Sequence, residues 1–142
     1  MADEPAKVLL VAHKTAAGDA LREAVRERAA RSAAEFHLVV PRHASGLHRV
    51  VDPEDSGGDE TQEVLDTALP ILSEAAGGDV QGTIGDAEPL SAIQDAVNLG
   101  DYDEIIISTL PARLSKWLRL DLVSKARGLG LPVTHVEGDG ST

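Results

Sequence analysis

The chain has 142 residues, near the modal size of a single domain, so one hydrophobic core is expected. Its 42% apolar content comes from Ala, Val, Leu and Ile, with a single Trp, Tyr, Phe and Met, which argues against a nucleic-acid reader that stacks bases on rings. A net charge of −11 repels phosphate backbones and anionic lipid surfaces, and the lack of Cys excludes disulfides, thiolate zinc sites and cysteine nucleophiles.

Met1 to Pro5 is acidic and has no basic-then-apolar signal layout, so residues 1–6 are expected to be a flexible tail. No apolar run approaches the ~20 residues that cross a bilayer. A cytoplasmic globular protein is expected, with neither membrane nor nucleic acid as a partner.

Lys7 to Ala12 (KVLLVA) is a continuous apolar run of strand length, as expected of a strand covered on both faces. Thr15 to Asp19 is a small, polar turn. Ala20 to Ala34 has helical spacing through Leu21, Ala24, Val25 and Ala29. Phe36 to Val40 (FHLVV) is a second strand, closed by Pro41, with His37 packed inside it. Residues 43–59, rich in Gly, Pro and acids, are expected to form a long mobile loop. His43 and His48 with Asp52, Glu54 and Asp55 could each bind a metal, but nothing apolar there would hold a fixed geometry. No metal is expected.

Thr61 to Ala76 resumes helical spacing, with Pro70 expected to kink or split it and Gly77-Gly78 to stop it. Val80 to Ile84 is a short third strand. Pro89 opens a helix from Leu90 to Leu99. Glu104 to Ser108 (EIIIS) is the clearest strand of the chain. Ser115 is the expected N-cap of one helix from Lys116 to Arg127, which Gly128 ends. Pro132 to Val136 is the last strand, with His135 as an edge or interface residue, and Gly138 to Thr142 a flexible tail.

This alternation predicts a single domain, 1–142, in which helices cover both faces of a five-stranded parallel sheet. Ligands of such sheets bind beyond the carboxyl ends of the strands, where the strand order reverses. That places a first candidate site at Ala12, His13 and Lys14, at Val40 and Pro41, and at Ser108 to Lys116. Other short motifs fail on context. Ser56-Gly57-Gly58-Asp59 does not follow the first strand, and Gly82-Thr83-Ile84-Gly85 opens no helix.

The segment after the fourth strand concentrates Arg113, Lys116 and Arg119, three of only 13 cations. With Ser108, Thr109 and Ser115 they could form a pocket for a phosphate or carboxylate at a helix N-terminus. Equally, the cations could pair with Asp101, Asp103 and Asp121 while Trp117 packs the helix. Both readings stay open on the residues alone.

Several motifs together resemble the universal stress protein family. They are the buried first strand with its small-residue turn, the long loop after the second strand, Gly85-Asp86-x-x-Pro89, Asp103-Glu104-Ile105-Ile106-Ile107 and the closing Leu131-Pro132-Val133-Thr134-His135-Val136. The resemblance implies a three-layer Rossmann-like sandwich of the adenine nucleotide alpha hydrolase type, with strand order 3-2-1-4-5. It also implies a homodimer, often through the last strand. In the family a G-2x-G-9x-G-[ST] motif after the fourth strand cradles the phosphates of ATP. At that spacing this chain has Ser108, Pro111, Asp121 and Leu122, and His13 replaces the family's ribose-contacting aspartate. ATP binding and any other cofactor are therefore not expected. The expected function is a non-catalytic, stress-response binding module that dimerises. The alternative is a sensor of a nucleotide or small anionic ligand using the loop after the fourth strand, with Ser108, Thr109, Arg113, Ser115 and Lys116, and with Ala12, His13 and Val40 as further ligand-binding candidates at the strand ends.

Overall fold

A computed structural model describes residues 5–42, 57–111 and 115–138. Strand β1, Ala6–Val11, is apolar and buried from Val8 onward, where both its faces are covered. Val8, Leu10 and Ala12 enter one core cluster, while Leu9 and Val11 enter the other. This is the period-two alternation of a pleated strand between two layers.

The remaining elements are α1 (Asp19–Arg31), β2 (Ala34–Pro41), α2 (Gly57–Ala76), β3 (Gln81–Gly85), α3 (Pro89–Leu99), β4 (Glu104–Thr109), α4 (Lys116–Arg119), α5 (Leu122–Arg127) and β5 (Val133–Glu137). The five strands form one sheet in the order β3-β2-β1-β4-β5. Every neighbouring pair is parallel, as the sequence reading expects. Leu21 and Val25 of α1 and Leu65, Ala68 and Leu72 of α2 cover one face. Ala92 and Ile93 of α3 and Leu122, Val123 and Ala126 of α5 cover the other.

Several expectations are corrected. The helix expected over Lys116 to Arg127 is two short helices, broken where Asp121 takes a left-handed conformation at φ 60°. Such a conformation cannot propagate a right-handed helix. Helix α2 begins at Gly57, so 57–59 are helical rather than loop, and 43–56 lie outside the described residues, with His43, His48, Asp52, Glu54 and Asp55 among them. Pro70 does not split α2. It lies exposed on the outer side, where water can serve the Asp66 carbonyl that loses its helical partner. Of the expected tails, Ala6 pairs with Ala34 in the sheet, and the Gly138 N–H donates to the Thr109 carbonyl at 2.8 Å. Residues 1–4 and 139–142 lie outside the described residues.

At the amino end of the sheet, buried Arg28 of α1 donates from Nε to Glu104 Oε1 at 3.0 Å. The Asp103 carboxylate, read as a candidate partner for cations, instead accepts the Lys7 backbone N–H at 2.8 Å. His37 of β2 meets the Thr83 hydroxyl of β3 at 3.1 Å, and burial lowers its pKa below the usual histidine value. No helix among the described residues is long and apolar enough to cross a membrane.

Candidate functional site

The chain runs to one side of β1 for β2 and β3, then to the other side for β4 and β5. This reversal splays the segments that leave β1 and β4, and an open cleft of ≈ 610 Å³ lies over the carboxyl ends of the strands there. His13 and Thr15 reach it from the turn after β1, and Pro41 and Arg42 from the end of β2. Asp86 to Pro89 form the wall after β3. Ser108, Thr109 and Leu110 line it after β4, and Ser115, Trp117 and Leu120 close that side.

The floor is built from hydroxyls that answer one another. Thr15 Oγ1 and Ser108 Oγ are 2.5 Å apart and both residues are buried. Thr109 Oγ1 lies 2.8 Å from the Leu110 carbonyl and 2.8 Å from His135 Nε2, hydrogen-bonded to both. His135 is therefore a support of the cleft floor reaching in from the edge strand. The Gly138 N–H, bound to the Thr109 carbonyl, closes the same corner. At the rim, Asp86 Oδ1 accepts the Glu88 N–H at 2.9 Å and Glu88 Oε1 accepts the Ser91 hydroxyl at 2.6 Å, which shapes the entry to α3.

Removing one partner of a buried hydroxyl pair leaves the other unsatisfied. Ser108→Ala and Thr15→Val should each destabilise the protein by about 1–2 kcal/mol, whereas the double variant should cost less than their sum. Urea titration of the four proteins checks this cycle. Strict additivity would mean that water already serves both hydroxyls.

Of the candidate residues, His13, Ser108, Thr109 and Ser115 stand on the cleft wall. Ala12 and Val40 do not. Both are fully buried in the core beneath α1 and α2, because the strand alternation turns their side chains into that layer. Arg113 lies outside the described residues, and Lys116 is described only as the first residue of α4.

The helix-terminus argument for an anion pocket is weakened by the fold. Helix α4 is only 4 residues long, too short for a substantial dipole. Ser115 does cap it, accepting the Leu118 N–H at 3.1 Å, which takes up one of the few free donors. Asp121 and Leu122, which stand where the family motif has its last glycine and hydroxyl residue, do not line the cleft. The first is exposed at the helix break and the second is in the core. Thr15, Arg42 and Leu120 were not singled out as site residues, and Trp117 was read as a packing residue. Asp86 and Pro89 had a signal in the Gly85-Asp86-x-x-Pro89 motif, but as family markers rather than as a wall.

A five-stranded parallel sheet of order β3-β2-β1-β4-β5 with a cleft at its switch point is a Rossmann-like α/β architecture. No protein-family model matches the chain, and no curated protein matches it either. Among solved structures, the universal stress protein from Archaeoglobus fulgidus is similar with a TM-score of 0.66 at 19% identity, over 92% of this chain and 93% of that one. A hypothetical protein, PH0823, follows with a TM-score of 0.64 at 15% identity, over 93% and 96%. The Archaeoglobus fulgidus universal stress protein in complex with dAMP has a TM-score of 0.57 at 18% identity, over 94% and 98%. At these identities the likeness establishes the fold, which is the one the sequence motifs implied.

Proposed function

We propose that this protein is a non-catalytic, cytoplasmic module of the universal stress protein type whose cleft binds a nucleoside-sized ligand. The observation that carries the reading is the cleft itself. Its ≈ 610 Å³ falls within the range of small-molecule sites and it lies at the switch point. The Archaeoglobus fulgidus protein in complex with dAMP, which shares the fold, supports the choice of ligand class.

A thermal-shift panel of nucleosides and nucleotides tests the reading. A ligand at one hundred times its Kd stabilises the native state by ~2.7 kcal/mol, and a panel in which nothing raises Tm overturns it. Mg-ATP should be a poor member of that panel. Pro111 has no N–H to offer and the Ser115 oxygen is committed to its cap. Calorimetry should return a Kd no tighter than about 10 μM, near −7 kcal/mol.

Dimerisation is a second reading, favoured by β5. It is an edge strand, paired only with β4, and its Val133 and Val136 are half-buried. An uncovered edge of this kind invites a partner strand. Light scattering at micromolar concentration should give twice the chain mass of 14.9 kDa, and a monomer mass refutes the dimer.

A further inference from the structure

We infer that the apolar surface formed by Leu110, Trp117 and Leu120 takes an uncharged flat ring, a nucleobase, stacked on Trp117, in preference to a phosphate. The inference rests on the proposal that a nucleoside-sized ligand occupies the cleft. It assigns the ligand's orientation and the group that recognises it.

Three observations converge on this wall. Trp117, the one Trp of the chain, packs partly against the core and also lines the cleft. Beside it stand half-buried Leu110 and Leu120, the latter 48% exposed, so apolar surface is left facing the cleft. A flat ring laid there removes that surface from water and meets the indole face, the arrangement in which aromatic side chains hold bases without reading their sequence.

Among the described polar groups of this wall, the Thr109 hydroxyl is held between Leu110 and His135, one proton of the Thr15–Ser108 pair is spent between the two hydroxyls, and Ser115 accepts the Leu118 N–H while keeping its own proton. A phosphate laid on the apolar surface would give up its hydration for few open donors, and that exchange is unfavourable. The charged side chains described in the lining, Lys14 and Arg42 against Asp86 and Glu88, balance in sign, so they produce no net pull on an anion. A neutral ring gives up little hydration and needs none of these groups.

The single Trp makes the test direct. Adenosine and AMP are titrated while Trp117 emission is followed, with calorimetry on the same samples. Both should quench the emission, with Kd values within about threefold of each other, because the phosphate adds little. Trp117→Leu should weaken both by about tenfold or more. Since Trp117 also packs on the core, two milder variants accompany it. Trp117→Phe keeps a flat ring and should retain adenosine binding within about threefold by calorimetry, and Leu120→Ser, at an exposed position, should weaken it by about threefold or more with Tm unchanged.

AMP binding tenfold or more tighter than adenosine would overturn the inference while leaving the nucleoside-sized ligand in place. So would full affinity in both Trp117→Leu and Leu120→Ser. If no nucleoside or nucleotide of the panel binds the unaltered protein, the parent reading fails and this one with it.

Discussion

Arg28→Ala is expected to lower the unfolding free energy by about 2–3 kcal/mol, the largest loss from any single charge among the described residues. Arg28 occupies the core stripe of α1 beside Leu21 and Val25, and its side chain is only 8% exposed. Its Nε donates to Glu104 Oε1 at 3.0 Å, and its Nη1 donates to Ser32 Oγ at 3.0 Å. Truncation strands the Glu104 carboxylate, 18% exposed, at the start of β4. A fully buried orphan would cost about 3–5 kcal/mol, and the residual access of Glu104 to water brings the figure down. The loss should appear as a Tm lower by roughly 10 °C for a chain of this size. Removing both charges with apolar residues, as in Arg28→Met with Glu104→Leu, should recover most of it. The double-variant comparison separates a stranded charge from lost packing. If Arg28→Ala unfolds at the Tm of the unaltered protein, the pair is solvated and contributes nothing.

Gly85→Val should destabilise by about 2–3 kcal/mol and weaken ligand binding in the same protein. Gly85 ends β3 directly before the Asp86 to Pro89 wall. A Cβ there would lie 2.8 Å from Ala92 Cβ and 2.9 Å from Val39 Cγ1. Ala92 has no rotamer with which to yield, so the N-terminal turn of α3 must move, and the cleft wall moves with it. Overpacking of this kind typically costs about 1–3 kcal/mol, and Val, with more than the single Cβ, should fall at the upper end. Gly78→Ala is the control. Nothing lies within 4 Å of its Cβ position, so stability and binding should be unchanged. The measurement is a denaturant midpoint together with a Kd for whichever nucleoside the panel returns. Loss of stability with binding intact would mean that α3 does not set the shape of the cleft.

These two variants probe opposite ends of the sheet. Arg28 and Glu104 lock α1 to the amino end of β4, while Gly85 sets the height of α3 at the carboxyl end. The floor between them is held by Thr15 with Ser108 and by Thr109 with His135. The second pair links the cleft to the edge strand β5, so an occupant that disturbs Thr109 acts on the same strand proposed to dimerise.

The linear chain was sufficient for the layers, the strand order and the end of the sheet where the site lies. Lys7 to Ala12 and Glu104 to Ser108 announce doubly covered strands because a strand between two helical layers has no polar face, and that property is local. His13, Ser108, Thr109 and Ser115 follow from it, since residues just past such strands surround the switch point whatever the details of packing. The family likeness, through Gly85-Asp86-x-x-Pro89 and the closing strand, added the order of the strands. Other features were decided by contacts distant in sequence. Leu118, Leu122 and Ala126 keep an unbroken helical spacing through Asp121, yet the backbone turns left-handed there and separates α4 from α5. Periodicity records which residues are apolar but not whether the backbone between them stays helical. Ala12 and Val40 were assigned to the site by their place at strand ends, but the pleat aims them into the core. The Thr15–Ser108 contact joins residues 93 positions apart, and Trp117 both packs on the core and lines the cleft. Which hydroxyls are already engaged, and which apolar faces remain open to a ligand, depends on pairings that form only once the sheet has brought these segments together.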